Sequence, residues 1–565
     1  MVWLNRFRLS FCNKQNIKNY FFENKWFILY VALLSLPNIL MFYVNPSVKG
    51  IVPNLVNFLL YEILLLLPLI FLKLRVFMAI WLLFILLVPM EIVHIVNYDG
   101  YTTLPALSSG LDSNPAEMGE FISNYRHIFL LGFIIFPLAV LSTFKTSNRK
   151  TSSSEKTVLI LFFTLICMMF SVRTVSELGM ERFLVDQKKL YSRLFTSGYP
   201  TAYFYNLATY YSERKKLLAS IKVKKHFLFG VNINEKFNQQ KRIALLIIGE
   251  TSRAKNWSLN GYPRETNPKL KNLKNLVNFN SAITSATHTR ESIQLALTRA
   301  RPENLEPIYK EKSIIGAYKE AGYKTIWVSN QNKISPVDTP VTAIAKESDD
   351  QIFTNKDYEV NPSFDEDLLP IIKAKLADNQ GKLLLIVHTL GSHEIYRKRY
   401  PKEFEKYIPV TSGDDYNFSS DDIREKLVNS YDNSILYTDH IIVSIVEFLK
   451  ETNEIGFMMY FSDHGENLLD DGGTRFGHGG VIPTNYVLEI PLLAWFSDSY
   501  ISSHQYLFNK INNNNHNPVS LNGLFDTMLD LSGLSIESNI GNQSFLEKRT
   551  AERTVLTTSG DVIIH

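Results

Sequence analysis

The chain has 565 residues and a formal net charge of +4 at pH 7. This length exceeds what one hydrophobic core usually serves, so the sequence predicts two or more domains. Because the charge is small for this size, it gives no support for a nucleic-acid partner, and we expect none.

The first third of the chain is predicted to cross a membrane. Apolar segments near the roughly 17–25 residues that a bilayer core requires follow one another there. They are Trp26–Val44, Val52–Leu72, Val76–Val96, Ile128–Phe144 and Val158–Val172. The last two are the shortest, and a buried core helix is the alternative for each. The first is too long and too deep in the chain for a cleaved signal peptide, so we expect five membrane spans.

Basic residues cluster on one side of these segments and set their orientation. They occur in the N-terminal arm and in the loops after the second and fourth segments: Arg6, Arg8, Lys14, Lys18, Lys25, Lys73, Arg75, Lys145, Arg149, Lys150 and Lys156. The loop at 97–126 is mainly acidic. Because basic flanks remain cytoplasmic, everything after about residue 174 is predicted to lie outside the cytoplasm.

Residues 175–235, which follow the fifth segment, are rich in tyrosine and lysine. Aromatic and basic side chains suit helices that lie in the membrane interface and contact lipid headgroups. An ordinary solvated linker helix is the alternative. The two cysteines, Cys12 and Cys167, both precede this region. The exported part is therefore expected to fold without disulfides, which its size allows.

From residue 236 onward, short apolar runs alternate with helical patterns. The runs Ile243–Ile248, Thr325–Val328, Leu383–Val387 and Met458–Phe461 predict strands, and the amphipathic stretch Ile435–Leu449 predicts a helix. This alternation is typical of a mostly parallel sheet covered by helices. The sequence thus predicts a membrane domain at 1–174, an interfacial linker at 175–235 and an α/β domain at 236–565.

Three of the predicted strands end in reactive side chains. Glu250 follows the first strand, His388 and His393 stand at the end of the third, and Asp463 and His464 follow the last. The carboxyl ends of parallel strands form the rim that carries chemistry in α/β proteins. An adjacent carboxylate and imidazole suit a borderline-soft divalent cation, for which zinc fits best. The tripeptide Asp-His-Gly by itself is equally typical of a turn at a strand end.

Together these motifs resemble those of the bacterial inner-membrane phosphoethanolamine transferases, which belong to the alkaline-phosphatase/sulfatase superfamily. The resemblance rests on Gly-Glu-Thr-Ser-Arg-Ala at 249–254, Asn-Gly-Tyr-Pro-Arg-Glu-Thr-Asn-Pro at 260–268, Tyr-Asp-Asn-Ser at 431–434, Ser-Asp-His-Gly-Glu at 462–466 and Asn-Pro-Ala-Glu at 114–117. It covers essentially the whole chain. It implies a five-helix transmembrane bundle followed by a periplasmic α/β domain of alkaline-phosphatase/sulfatase type.

The resemblance also implies a zinc enzyme with a threonine nucleophile. Glu250, Asp463 and His464 would be zinc ligands, and the threonine would complete the set. A threonine hydroxyl is a poor nucleophile at neutral pH unless a base or a metal lowers its pKa, which agrees with a zinc site. One zinc ion is expected, and a second is left open.

The nucleophile is expected within Thr284–Ile293. Matching the family pattern to the end of this stretch places it at Thr287, with Thr289 as the alternative. The sequence departs from the family here, because Ala286 stands where a glycine is usual and no cysteine is near.

Five further residues are implied to serve the substrate. His393 and His478 resemble the histidines that contact the phosphoryl group or bind a second zinc, and they are expected to move protons. Lys333, Asn114 and Glu117 are expected to bind substrate, with Glu117 paired to the ammonium of the lipid headgroup. Loop residues without a function are the alternative for all five.

The implied reaction moves phosphoethanolamine from phosphatidylethanolamine to an envelope glycoconjugate through a phosphoethanolamine-threonine intermediate. The acceptor is an LPS core sugar, lipid A or a periplasmic glucan, and the absence of exported cysteines favours a core sugar or a glucan. A membrane-anchored phosphoglycerol transferase or phosphatase of the same fold is one alternative, and a non-catalytic envelope scaffold is another. We expect a multi-pass inner-membrane protein that contacts membrane lipid and carries its catalytic domain in the periplasm.

Overall fold

The computed structural model describes most of the chain from residue 14 to residue 565. The residues outside the description are 1–13, 45–50, 99, 113–118, 120–121, 124, 179–194, 196–197, 239–240, 332–338, 356–363, 413–415, 417–419, 474, 479, 481, 538–542 and 549–551. The chain divides into two compact units, one of Met1–Thr103 with Tyr125–Thr209 and one of Leu104–Asn124 with Tyr210–His565. The domain limits expected from the sequence, 1–174, 175–235 and 236–565, remain a prediction.

The N-terminal part is helical. In chain order its helices are α1 Lys14–Glu23, α2 Lys25–Leu34, α3 Leu36–Val44, α4 Ile51–Leu66, α5 Leu74–Tyr98, α6 Leu104–Asp112, α7 Arg126–Lys145, α8 Ser153–Leu178 and α9 Thr201–Lys224. Among the described residues, α5, α7 and the Ser153–Val172 part of α8 are long and apolar enough to cross a membrane. A fourth span results if α2 and α3, bent by 52°, act as one. The apolar stretch Leu55–Ile70 is shorter, so the count of five spans stays a prediction.

Several polar side chains inside the first unit form hydrogen bonds. Asn38 donates to Glu62 Oε1 at 2.9 Å and accepts from the backbone N–H of Tyr199 at 2.9 Å. Glu91 accepts from both the backbone N–H and the hydroxyl of Thr102 at 2.8 Å. An unpaired polar group among apolar helices costs several kcal/mol, so these contacts hold the loop at Thr102 and the turn at Tyr199 against the helices.

The second unit contains the predicted α/β domain. Its strands are β1 Val231–Ile233, β2 Arg242–Gly249, β3 Leu276–Phe279, β4 Ala282–Ile283, β5 Lys324–Ser329, β6 Asp350–Phe353, β7 Lys382–His388, β8 Ile455–Ser462, β9 Asn467–Leu468, β10 Phe476–Gly477, β11 Leu492–Phe496, β12 Val519–Ser520, β13 Leu534–Ile536, β14 Thr554–Leu556 and β15 Val562–Ile564. A seven-stranded sheet has the order β3-β11-β8-β2-β7-β5-β6. The five strands from β8 to β6 run parallel, and β11 runs antiparallel to its neighbours β3 and β8.

Helices cover both faces of this sheet. They are α10 Glu235–Asn238, α11 Thr289–Leu297, α12 Glu306–Lys310, α13 Ile314–Glu320, α14 Pro340–Ala345, α15 Leu369–Ala377, α16 Ile423–Glu451, α17 Asn485–Leu488, α18 Asp498–Asn513 and α19 Leu524–Leu531. Every residue of the central strand β2 is buried. Its alternate side chains enter two separate cores, one with Leu245 and the other with Leu246. Burial on both faces explains why the strand is continuously apolar in sequence.

The predicted strands and sheet are confirmed. The four apolar runs lie within β2, β5, β7 and β8, and the amphipathic stretch lies within α16. In the parallel sheet Gly249 pairs with Ser462, and Ile248 pairs with His388. The residues that follow β2, β7 and β8 therefore emerge at the same edge.

Candidate metal centre

Glu250, Asp463 and His464 meet at the carboxyl edge of the sheet. They follow the paired residues at the ends of β2 and β8, and all three are buried. One ligand atom of each lies within 4.8 Å of the others. His464 Nε2 is 3.3 Å from Asp463 Oδ2 and 3.6 Å from Glu250 Oε1. Among the described residues, these three side chains form a group that could hold a metal ion.

The hydrogen bonds around His464 leave Nε2 unprotonated in the neutral ring. Its Nδ1 lies 2.9 Å from the carbonyl oxygen of Gly465. Because a carbonyl only accepts, the proton sits on Nδ1, and the Nε2 lone pair points into the cluster. A backbone carbonyl that fixes the tautomer in this way is typical of metal-bound histidines.

The carboxylates also fit a divalent cation. Asp463 Oδ1 accepts from the backbone N–H groups of Thr251 and His464, whereas the buried Oδ2 accepts no hydrogen bond from the described residues. Burial, and then the neighbouring Asp463 carboxylate, raise the pKa of Glu250 well above its usual range. Two adjoining buried carboxylates are costly unless a cation compensates them. The oxygen and nitrogen donors match the ligands that zinc accepts.

Glycine at 391 lets a loop approach the backbone of Glu250. Gly391 has φ +54°, and a Cβ there would lie 2.8 Å from both the N and the O of Glu250. Gly391→Ala is therefore expected to displace this ligand, lowering stability by about 1–3 kcal/mol and zinc affinity about tenfold. Chemical unfolding and competitive zinc titration measure the two effects.

The matched control is Gly322→Ala, because Gly322 has φ +78° and nothing within 4 Å of its Cβ position. That change adds the strain of alanine in a left-handed backbone conformation, but its Cβ meets no neighbouring atom. Wild-type zinc affinity in Gly391→Ala would contradict the assignment of Glu250 as a ligand.

Thr289 brings a hydroxyl into the cluster. It is the first residue of α11, and its Oγ1 donates to Glu250 Oε1 at 2.9 Å and lies 3.1 Å from His464 Nε2. The N-terminus of a helix favours negative charge, so the helix stabilises an anion developing on this oxygen. The position suits a nucleophile.

Thr287 lies in a different environment. Its Oγ1 is 3.2 Å from Thr558 Oγ1 and 3.2 Å from His288 Nδ1, and its backbone N–H bonds to the carbonyl of Leu556. The structure thus brings the alternative threonine, Thr289, and not Thr287, to the three ligand residues.

Both predicted histidines lie near the cluster. The ring of His478 is 4.0 Å from that of His464, centroid to centroid, and its Nδ1 is 3.4 Å from Glu466 Oε2. The pKa of His393 is lowered to about 3, first by burial and then by Arg399, with smaller contributions from His478 and His464. His393 follows Ser392, whose backbone N–H donates to the carbonyl of Glu250 at 3.0 Å, so it stands next to a residue bonded to the cluster.

Three of the predicted substrate residues cannot be located. Asn114, Glu117 and Lys333 lie outside the described residues, so their roles stay predictions. His388, by contrast, is described. It is buried at the end of β7 with its ring 5.8 Å from that of Trp327.

The remaining motif residues hold the ligand loops in place. The hydroxyl of Tyr431 on α16 donates to the carbonyl of Thr251 and accepts from the N–H of Arg253, and Arg253 binds Asp470 at 2.7 Å. Asp432 accepts from Tyr262, Asn256 and Arg264. The sequence motifs identified these stretches, but not that they act as a buried scaffold beneath the cluster.

His288 is the site residue that the sequence analysis missed. It is buried, it precedes Thr289, and its ring lies 5.2 Å from that of His478. The sequence signal for His288 was its position between Thr287 and Thr289, in the segment expected to contain the nucleophile.

Comparison with known proteins places the chain among related sequences. A sulfatase family model matches residues 242–534. Phosphoethanolamine transferase EptC of Escherichia coli (strain K12) is 29% identical over 454 residues, which are 78% of this chain and 77% of that protein. Phosphoethanolamine transferase CptA of Salmonella typhimurium is 32% identical over 329 residues, 57% of this chain and 56% of that protein.

Solved structures extend the comparison to the fold. The C-terminal periplasmic domain of EptC from Escherichia coli, crystallised with Zn, is 31% identical with a TM-score of 0.53 and covers 57% of this chain and 92% of that one. The integral membrane lipooligosaccharide phosphoethanolamine transferase A from Neisseria meningitidis is 20% identical with a TM-score of 0.71, over 90% of this chain and 96% of that one. The predicted fold, apolar N-terminal helices followed by an α/β domain of sulfatase type, is confirmed. This chain belongs to the sulfatase family and, within it, to the phosphoethanolamine transferases.

Proposed function

We propose that this chain is a zinc-dependent transferase of the bacterial inner membrane that moves phosphoethanolamine from phosphatidylethanolamine to an envelope glycoconjugate in the periplasm. The observation that carries the proposal is the contact of the Thr289 hydroxyl with both Glu250 and His464. A nucleophile beside a buried cation site is what transfer through a covalent phosphothreonine ester requires.

Glu250, Asp463 and His464 would hold the zinc. When bound, zinc would lower the pKa of the Thr289 hydroxyl and would compensate negative charge on the phosphoryl oxygens. Thr251 keeps two of these ligands oriented, because its N–H donates to Asp463 Oδ1 and its hydroxyl donates to Glu250 Oε1. A non-glycine residue with φ +57° at this point is uncommon, and it lets one residue contact both carboxylates.

In the first step, Thr289 Oγ1 attacks the phosphorus of phosphatidylethanolamine. The bond from phosphorus to the diacylglycerol oxygen breaks, diacylglycerol leaves with a proton, and phosphoethanolamine remains as an ester on Thr289. As the new bond forms, the hydroxyl proton of Thr289 passes to Glu250 Oε1, to which it already points. The proposed proton donor to the leaving oxygen is the protonated form of His478 or His393. Burial lowers the pKa of both, and the negative charge of the bound phosphoryl group would raise it.

In the second step, an acceptor hydroxyl or phosphate oxygen attacks the same phosphorus. The ester bond to Thr289 breaks, and the Thr289 oxygen takes back the proton from Glu250. The acceptor's proton passes to the histidine that gave one up in the first step. His478 has 30% of its side chain exposed, which suits exchange of protons with an incoming acceptor. An LPS core sugar, lipid A and a glucan all offer such oxygens.

The remaining expectations form part of the same proposal. The domain at 1–174 would hold the lipid donor near the catalytic domain at 236–565, with 175–235 at the membrane interface. Asn114, Glu117 and Lys333 would contact the donor headgroup. A second zinc ion, if bound, would use His393 and His478.

The test uses the purified full-length protein with vesicles of phosphatidylethanolamine. Diacylglycerol release is expected with zinc, is expected to be lost after removal of zinc by a chelator, and is expected to return when zinc but not magnesium is added. Vesicles of phosphatidylglycerol serve as the matched control. Faster release from phosphatidylglycerol would favour a phosphoglycerol transferase, and release that persists without zinc would refute the metal assignment.

A further inference from the structure

A C-terminal hairpin pairs with the segment that leads to Thr289. Its strands β14 and β15 are antiparallel, and Leu556 forms a parallel bridge with Ala286. The N–H of Leu556 donates to Ser285 at 2.9 Å, and the N–H of Thr287 donates to Leu556 at 3.2 Å. The hairpin lies beyond residues 242–534, the part that matches the family model. Backbone bonds thus anchor it beside the nucleophile segment, and Val555 and Leu556 add apolar contacts.

A chain of hydroxyl groups runs from this hairpin toward the metal centre. Thr558 Oγ1 donates to the carbonyl of Gly480 at 3.2 Å and lies 3.2 Å from Thr287 Oγ1, which is 3.2 Å from His288 Nδ1. A carbonyl oxygen can only accept, and each hydroxyl has one proton to donate. The direction of each hydrogen bond in this series is therefore fixed. Thr287 donates to Thr558, and His288 donates from Nδ1 to Thr287.

One end of this series of hydroxyl groups bonds to the loop that carries His478, and the other end contacts the His478 ring. At one end, Gly480 is two residues beyond His478 on the same loop. At the other, the His288 ring packs edge-to-face on His478 at 5.2 Å and 74°. Thr558 and Thr287 are almost fully buried, with 3% and 1% exposed, so water has little access to their hydroxyl groups. The ring of His478 is thereby held against His464.

We propose that Thr558 is a positioning residue for His478, acting through the Gly480 carbonyl and through Thr287 and His288. This inference rests on the proposed function, because the role of His478 in proton transfer is itself part of that proposal. Anchoring of the hairpin does not require the Thr558 hydroxyl, since the bonds to Ser285 and from Thr287 are backbone bonds.

The first test compares the steady-state kinetics of Thr558→Val with wild type. Valine keeps the branched shape and removes the hydroxyl, so kcat is expected to fall about tenfold with an unchanged KM for phosphatidylethanolamine. Thr558→Ser is expected to restore kcat. The control is Thr557→Val, whose hydroxyl bonds within the hairpin to Ser559 and Asp561 and is expected to be dispensable. An unchanged kcat, or a raised KM alone, would overturn the inference.

The second test does not depend on catalysis. Modification of His478 by diethylpyrocarbonate is followed by peptide mass in the zinc-loaded full chain. Loss of its restraint in Thr558→Val is expected to raise the rate at least about threefold, with Thr557→Val unchanged. An equal rate in Thr558→Val would overturn the positioning role. A wild type without transfer activity would refute the proposed function, and the modification rate would still decide the role of Thr558.

Discussion

Replacement of Thr289 by alanine is expected to lower phosphoethanolamine transfer by about a thousandfold or more, because it removes the oxygen that forms the covalent ester. Thr289 Oγ1 is the hydroxyl that contacts both Glu250 and His464. The fold should persist, since the change removes a few atoms from the first turn of α11. Transfer rate is measured on vesicles, and zinc content and thermal unfolding check that the site and fold remain.

Thr287→Ala is the companion variant that separates the two threonines. It is expected to form the covalent intermediate and to turn over up to about tenfold more slowly, because it breaks the contacts of Thr287 with His288 and Thr558. Thr289→Ala with near wild-type transfer, together with inactive Thr287→Ala, would move the nucleophile to Thr287.

Asp463→Asn is expected to abolish zinc-dependent stabilisation and to stabilise the zinc-free protein. In the zinc-free wild type two buried carboxylates adjoin, and their repulsion contributes to the raised pKa of Glu250. The amide oxygen can still accept the N–H groups of Thr251 and His464, which now bond to Oδ1, while its NH₂ group can face Glu250. Wild type should gain about 2.7 kcal/mol at zinc concentrations a hundredfold above Kd.

Thermal unfolding with and without a chelator measures both effects in one experiment. The control is Asp498→Asn, an exposed carboxylate at the start of α18 that bonds to Asn275. It should respond to zinc as wild type does. A zinc-induced shift that survives in Asp463→Asn would place the metal elsewhere, and a lower midpoint without zinc would contradict the account of carboxylate repulsion.

The strands and the candidate ligands at their ends could be predicted because a strand buried on both faces is continuously apolar in sequence. β2, β7 and β8 are buried on both faces, so each is a continuous apolar run that stops at a polar residue, which is Glu250, His388 or Asp463. Parallel pairing then brings those ends together without further information. β11 is just as apolar, but it runs antiparallel to β8, so Ser497 and Asp498, which follow it, stand at the opposite edge of the sheet. The sequence analysis did not single it out.

The choice between Thr287 and Thr289 depended on a contact that is distant in sequence. Thr287 pairs with Thr558, 271 residues further along the chain, and the neighbouring Ala286 forms a bridge with Leu556. The helix starts only at Thr289 and turns that hydroxyl to the ligands. Two threonines separated by one residue offer the same chemistry, so local pattern alone did not distinguish them.

The number of membrane spans also depends on geometry that hydropathy does not show. Hydropathy located the apolar N-terminal region, but whether α2 and α3 form one span depends on the 52° bend between them. Pro37, near the start of α3, has no backbone N–H to continue the ladder of α2, which is consistent with that break. Span number follows from such local geometry as well as from composition.

The covalent intermediate is the most direct test of this account. The full-length protein, loaded with zinc and incubated with phosphatidylethanolamine but no acceptor, is digested and its peptides are mapped by tandem mass spectrometry. The account predicts one phosphoethanolamine group, attached to Thr289, and none after the zinc has been removed. A phosphoethanolamine group on Thr287, or transfer to an acceptor without any adduct on the protein, would contradict it.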